Sequence, residues 1–319
     1  MKKMSVLLCL FFLLGAAVPA FGQNYPSRTI RWVIPYAAGG GSDMLARAFQ
    51  APLEKALGAK VIVENIPAGT TKVGVMEVAK AKPDGYTILS PVSEGLVAYY
   101  YSGTFETKIW EKLTPIGNLT VEPYGFVEVR AESAIKTWDD LVKAGKANPG
   151  KLTCGGPGAG GMMEIIMNEI TKVGGFATKY VPFQGGGPGK IALLGGHIDF
   201  RICTPAEAYS SISGGRSRGL AVSADKRMKL LPEVPTFREL GIGGEIPLFR
   251  GIWGPPDLPP DLVNTISKAI EKAVKDPDFI KIAETQLLAT VDYRPGRAMM
   301  EALEAYDKKW GKKLADSYK

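Results

Sequence analysis

From Thr29 onward the chain alternates short apolar runs with stretches of helical spacing. Thr29-Ile30-Arg31-Trp32-Val33-Ile34 reads as a strand closed by Pro35, and Ser42 to Leu57 carries Met44, Leu45, Ala48, Phe49, Leu53 and Leu57 near helical intervals. Lys60-Val61-Ile62-Val63-Glu64 is β-branched and predicts a second strand. Val73 to Ala81 predicts a helix, and Tyr86-Thr87-Ile88-Leu89 a third strand after the turn Pro83-Asp84-Gly85. A second set begins near Glu122. It predicts a helix over Trp138 to Ala147, a strand over Lys151 to Cys154, a helix over Met162 to Val173 and a strand over Lys179 to Val181. A helix closes at Ile191 to Gly195, and strands follow at Ile198 to Ile202 and Gly219 to Val222. Three helices end the chain: Pro260 to Val274, Asp276 to Leu287, and Pro295 to about Leu314, two of them opening on proline. This order predicts an α/β protein whose sheets are mainly parallel and flanked by helices.

The first residues change the picture of where the protein works. Lys2 and Lys3 precede an apolar run from Val6 to Ala17, and Val18-Pro19-Ala20 and Ala20-Phe21-Gly22 both suit cleavage. That is the layout of a secretory signal peptide over residues 1–22, too short for a membrane span of about 20 residues. A retained amphipathic or buried N-terminal helix is the alternative. Cys9 sits inside the apolar run, not after it, which argues against lipidation. Cleavage after Gly22 leaves 297 of the 319 residues, enough for two domains or one large one. No second long apolar stretch follows, so a soluble periplasmic protein is expected. Losing Lys2 and Lys3 lowers the net charge from +7 to +5. Charges of both signs are interspersed without a basic block, which argues against nucleic acid, while the positive bias suits an anionic ligand. Cys154 and Cys203 survive processing; export permits a disulfide, but two small, inert, partly buried thiols are the simpler reading.

Three glycine-rich turns follow predicted strands: Pro35 to Asp43, Cys154 to Gly161, and Pro182 to Pro188. The first two lead into helices. A helix start offers unpaired N–H groups and a partial positive charge, and glycine lets an anion approach the backbone. Two such ends on one carboxylate would make a site without lysine, on the strand edge where open α/β sheets bind ligands. Glycines after strands also make plain tight turns. None of the turns ends in the Gly-Lys-Ser/Thr of a P-loop, and the dinucleotide spacing in Gly156 to Gly161 falls inside a glycine tract with Pro157. No cofactor is implied.

Catalysis has little to stand on. The one histidine, His197, sits in a turn, and neither Cys-x-x-Cys nor His-Glu-x-x-His occurs. Gly215-Arg216-Ser217-Arg218-Gly219 has the Gly-x-Ser-x-Gly form, but a strand follows it and His197 comes earlier, the wrong order for a nucleophile elbow. Arg201 lies in an apolar strand, where an unpaired guanidinium is costly. It either pairs with a carboxylate such as Asp199 or Glu207 or clamps a ligand carboxylate. Arg250 invites the same two readings. Asp43 begins a helix, where it caps and would repel a bare carboxylate.

With those residues in place, the chain resembles the solute receptors of tripartite tricarboxylate transporters, the Bug family. The matching stretches are Tyr25-Pro26-Ser27-Arg28, Pro35 to Asp43, Val63-Glu64-Asn65 with Pro67 and Gly74, and Pro83-Asp84-Gly85-Tyr86-Thr87. Further on come Pro149-Gly150-Lys151-Leu152, Val181-Pro182-Phe183, Leu194 to Asp199, and Leu231 to Thr236. The resemblance implies a two-lobe periplasmic-binding (Venus flytrap) fold. Residues 25–122 and 230–319 would form one lobe and 123–229 the other. It implies a small organic carboxylate held between the first two glycine-rich turns by backbone groups and ordered waters, and delivery by a monomeric receptor to integral-membrane permease subunits.

The implied ligand-binding residues are Tyr36, Ala38, Gly39, Gly40, Ser42 and Asp43, then Ser93. Gly156, Gly158, Ala159 and Gly161 follow on the second turn, with Phe183, Arg201 and Cys203 beyond it. The chain departs from the family pattern at the second turn. Pro157, Ala159, Gly160 and Met162 stand where Asn, Ser, Thr and His are usual, and Cys203 stands where Asp is frequent. Those departures predict a bulkier or less polar acid than citrate. A sensory receptor that docks a signalling partner is the second reading. A hydrolase or transferase on the same scaffold is the third, and it lacks a nucleophile–base pair.

Overall fold

The computed structural model describes residues 25–68 and 70–318; the expected signal peptide and Cys9 lie outside the described residues. The chain first lays down β1 (Ile30–Ile34), α1 (Gly41–Leu57), β2 (Val61–Asn65), α2 (Lys72–Ala79), β3 (Thr87–Leu89), α3 (Ser93–Tyr101) and β4 (Thr114–Pro123). It crosses to β5 (Phe126–Arg130), α4 (Trp138–Ala147), β6 (Thr153–Pro157), α5 (Met162–Gly174) and β7 (Lys179–Phe183). There follow α6 (Gly186–Leu194), β8 (Phe200–Cys203), α7 (Pro205–Ile212) and β9 (Ser217–Val222). It returns with β10 (Pro247–Gly254), α8 (Pro260–Ala273), α9 (Pro277–Thr285), β11 (Thr290–Pro295) and α10 (Gly296–Ser317).

Two sheets result, one per lobe: a six-stranded sheet in the order β11-β4-β10-β3-β1-β2 and a five-stranded sheet in the order β7-β6-β8-β5-β9. Both are mixed, where the sequence predicted mainly parallel sheets. β1 runs parallel to β2 and β3, and β6 parallel to β7 and β8, as strand–helix–strand units require. β10 runs antiparallel to β3 and β4, and β5 antiparallel to β8 and β9. These strands enter from the crossings between lobes and not from a helix on the same sheet, so nothing forces them parallel. At the crossings the two segments hold each other. Gly125 N–H donates to Ser223 Oγ and Ser223 N–H to Gly125 O, both at 2.8 Å, and Tyr124 N–H donates to Ile246 O at 2.8 Å.

α1 shows why the elements form where they do. Leu45, Phe49, Leu53 and Leu57 recur on one buried face, and the helix ends at Gly58, whose left-handed φ of 72° costs little without a Cβ. That face meets α8 and β1. Phe49 stands between Trp32 and Phe279, with ring centroids 6.3 and 4.7 Å apart. Trp32 brings a polar atom into this core and satisfies it: Nε1 donates to Ser90 Oγ at 2.9 Å, and Ser90 Oγ donates to Gly251 O at 2.8 Å. The first lobe is thus a scaffold on which the β1–α1 turn is held. In the second lobe Cys154 and Cys203 are both buried free thiols. Among the described residues no helix is long and apolar enough to cross a membrane.

Phe49→Ala should lower unfolding stability by about 3–5 kcal/mol, read as a fall in the urea midpoint at unchanged slope. A loss below about 1 kcal/mol would mean that the Trp32–Phe49–Phe279 cluster does not hold α1 to the sheet.

Candidate functional site

A cleft of about 330 Å³ lies between the lobes. The β1–α1 turn and the loop before α2 form one wall; the β6–α5 and β7–α6 turns form the other. Five prolines line it, Pro35, Pro67, Pro157, Pro182 and Pro188, together with Phe183. Its polar groups come from Tyr36, Thr70, Thr71, Tyr99 and Gln184, and no Lys, Arg, Asp or Glu is among its lining residues. Tyr36, Tyr99 and Pro157 also border an inner end of about 30 Å³, bounded by Gly40, Gly41 and Ser42 on one side and by Gly186, Thr204 and Glu207 on the other, with Arg250. That inner volume holds one or two waters.

The donors of the glycine-rich turns are largely claimed by the chain itself. Gly39 N–H donates to Asp43 Oδ2 at 2.9 Å, and Ala37 N–H crosses to Gln184 O at 2.9 Å. Gly41 N–H, the first of α1, donates to Glu207 Oε1 at 2.8 Å across the lobe boundary. In the second turn Gly160 N–H donates to Glu164 Oε2 at 2.8 Å and Gly158 N–H to Phe183 O at 2.8 Å. Ala159 lines the cleft and its N–H has no partner among the described residues.

Two hydroxyls are in the same position, and that of Thr71 is itself buried. Tyr99 OH, in a residue 4% exposed, makes no hydrogen bond to another described residue, and Thr71 Oγ1, 3% exposed, has none either. Tyr99 OH lies so close to Gly158 and Gly161 that a Cβ on either would crowd it. Burial pushes the Tyr99 phenol well above its ordinary range, so it stays a proton donor at neutral pH. Thr70 and Thr71 take left-handed φ values of 52° and 73°, strained for β-branched residues, at the start of α2.

The charges cluster beneath the inner end. Arg250 Nε donates to Glu122 Oε1 and its Nη1 to Ser42 Oγ, both at 2.5 Å. Arg201, 1% exposed, lies opposite Glu128 in the β5–β8 ladder; its Nε donates to Glu128 Oε2 at 2.6 Å and its Nη1 to Gly186 O at 2.9 Å. Glu207 Oε2 stands 3.9 Å from the same guanidinium. Asp43 pairs with Arg47 at 3.0 Å; burial works against its charge, but Arg47, the Gly39 N–H and Asn65 hold the carboxyl below its usual range. Glu94, fully buried at the first turn of α3, accepts from Phe249 N–H at 3.2 Å. Burial outweighs that bond and pushes its carboxyl up to about 8.

Of the residues named from the sequence, Tyr36, Gly158, Ala159 and Phe183 line the cleft, and Gly40 and Ser42 line its inner end. Gly161 sits behind Tyr99, and Gly156 against Tyr180. Ala38 and Gly39 instead meet Gly187 of α6, where the lobes touch. Ser93 Oγ is buried without a partner at the start of α3. Arg201 and Cys203 face the interior of the second lobe: the guanidinium gives Nε to Glu128 and Nη1 to Gly186 and leaves Nη2 buried without a partner, and the thiol lies 3.7 Å from Phe126 O. The third glycine run, expected as a turn after a strand, supplies the N-cap Gly185 and the first turn of α6. Tyr99 was not legible as a site residue, Thr70 and Thr71 only within the stretch Ala68 to Lys72 that departs from the family's glycine-rich pattern after Pro67, and Glu207 only as a partner for Arg201. His197 is exposed, and Ser217 Oγ donates to Glu128 Oε1 at 2.5 Å.

The family model described as tripartite tricarboxylate transporter family receptor matches residues 45–311. A UPF0065 protein of Cupriavidus necator is 34% identical over 286 residues, covering 88% of this chain and 84% of its own. The solved periplasmic binding protein BugD is 27% identical with a TM-score of 0.84, covering 92% of this chain and 98% of its own. A malate-bound protein of Rhodopseudomonas palustris aligns with a TM-score of 0.83 at 24% identity, over 91% of this chain and 100% of its own.

The Glu94 proton gives a measurable pH dependence. The folded chain keeps it up to about pH 8 and the unfolded chain releases it in the usual carboxylate range, so the wild type loses stability as pH rises between those limits. Glu94→Gln lacks that slope. Between about pH 5.5 and about pH 7.5 the stability difference should move in the variant's favour by about 2 kcal/mol, read by urea unfolding. A difference that stays constant with pH would place the Glu94 proton outside that window.

Proposed function

The chain belongs to the tripartite tricarboxylate transporter receptor family, and from that footing we propose that it is a periplasmic receptor. It closes its two lobes on a small organic carboxylate and delivers the acid to the permease subunits of a tripartite transporter. In this reading residues 1–22 are the leader. Residues 25–122 with 230–319 form one lobe and 123–229 the other, and the receptor acts without cofactor or turnover. The observation that carries the reading is the set of unclaimed donors lining the cleft: the buried Thr71 hydroxyl, the Tyr99 hydroxyl against Gly158 and Gly161, and the Ala159 N–H at the entrance to α5. Buried donors without acceptors are costly unless something fills them. A carboxylate supplies up to four acceptor sites, and the partial positive end of α5 favours its charge. A solved protein of this fold holds malate, which is in keeping with an acid ligand. The ring of prolines and Phe183 around the donors favours an acid with an apolar body over citrate.

A thermal-shift screen of unfolded and refolded, ligand-free protein tests this. Hexanoate or benzoate at about 100 times its dissociation constant should stabilise the fold by about 2.7 kcal/mol, and citrate should give a smaller shift. Tyr99→Phe should weaken the responding acid about tenfold, the effect of losing one hydrogen bond to a charged group. A screen flat across mono-, di- and tricarboxylic acids would remove the carboxylate assignment, and citrate as the strongest ligand would remove the apolar preference.

A further inference from the structure

The inner end of the cleft already contains a carboxylate, and it belongs to the protein. Glu207, 5% exposed, reaches from the third residue of α7 in the second lobe to the start of α1 in the first. There its Oε1 accepts the Gly41 N–H at 2.8 Å, the bond that an anionic ligand would take at a helix start. The seat fits this side chain closely. Gly186 faces the carboxylate with no room for a Cβ, and a Cβ on Gly40 would stand 3.5 Å from Oε1. Arg201 Nη1 at 3.9 Å supplies partial charge compensation. The space left beside it, about 30 Å³, takes a water or two but not a second carboxylate. Arg250, the other cation at this end, is engaged by Glu122 and Ser42.

The outer cleft differs in kind. It has no charged lining residue, and its unclaimed donors are Thr71 Oγ1, the Ala159 N–H and Tyr99 OH, the last packed against Gly158 and Gly161 at the entrance to α5. We propose that Glu207 fills one of two anion seats between the lobes, so that this receptor takes acids with a single carboxylate and rejects the matching diacids. Glu207 then sets specificity in two ways. It occupies the volume and the N–H that a second ligand carboxylate needs, and it repels that carboxylate at close range. This inference rests on the receptor reading above and narrows it to monocarboxylates.

The test is titration calorimetry of the ligand-stripped mature protein with matched pairs that differ by one carboxylate: butyrate and succinate, hexanoate and adipate, benzoate and terephthalate. In the wild type the monoacid of at least one pair should bind at least about tenfold more tightly than its diacid. Glu207→Ser vacates the seat and should narrow that gap about tenfold or more by strengthening the diacid. Glu207→Gln keeps the seat filled but uncharged and should fall between the two. A wild type that prefers the diacid in every pair that binds, or a folded Glu207→Ser variant whose gap is unchanged, overturns the inference while the receptor reading stands. Binding of none of the six acids overturns the receptor reading and this inference with it. Should Glu207→Ser not fold, as read by circular dichroism, the wild-type comparison alone decides.

Discussion

The hydrogen bond from Gly41 N–H to Glu207 Oε1 joins the two lobes at the place where their helix starts converge. Burying a carboxylate is costly unless its charge is met, and here it is met by a backbone dipole, a nearby guanidinium and the close fit of Gly186. Much else follows from that placement. Gly186 and Gly41 must be glycines or their side chains would enter the carboxylate or Arg250. The lobes also meet where Ala37 N–H donates to Gln184 O and where Gly187 lies against Ala38 O.

The charges under the cleft form two groups, one for each lobe. Glu122 and Arg250 pair across β4 and β10, and Glu128, Arg201 and Glu207 share the second lobe. Removing one member of such a pair strands the other at a cost of about 3–5 kcal/mol, so these residues are poor candidates for releasing or gripping a ligand. The neutral groups lining the cleft carry no such cost. Tyr99 and Thr71 keep their protons and present hydroxyls, Ala159 presents an N–H, and none of them loses a partner when the cleft is empty of acid. Recognition by dipoles and hydroxyls suits a receptor that must also let its ligand go.

Much of this was legible in the sequence where the periodicity was clean. α1, α4 and α5 have one buried face and one exposed face, and their glycine-rich or capped starts stand where the pattern begins. α3 was not legible, because Ser93 through Tyr99 are buried on every side and a helix buried all round has no amphipathic period. β4 carries Pro115 and Gly117 and β10 carries Gly251 inside the strand, and their pairing shifts register twice, which erases the alternation that marks a strand. The burial of Arg201 was legible as a cost, but its main partner Glu128 lies 73 residues away and becomes adjacent only through antiparallel β5–β8 pairing. The left-handed Thr70 and Thr71 run against their own preferences, so only the fold reveals them.

A crystal structure of the protein with its tightest-binding acid tests the account most directly. The account predicts the ligand carboxylate within hydrogen-bonding distance of Tyr99 OH and the Ala159 N–H, with Glu207 still accepting from Gly41 N–H. A carboxylate bound to Gly41 N–H with Glu207 turned away, or an acid held outside the Tyr99–Ala159 corner, would contradict it.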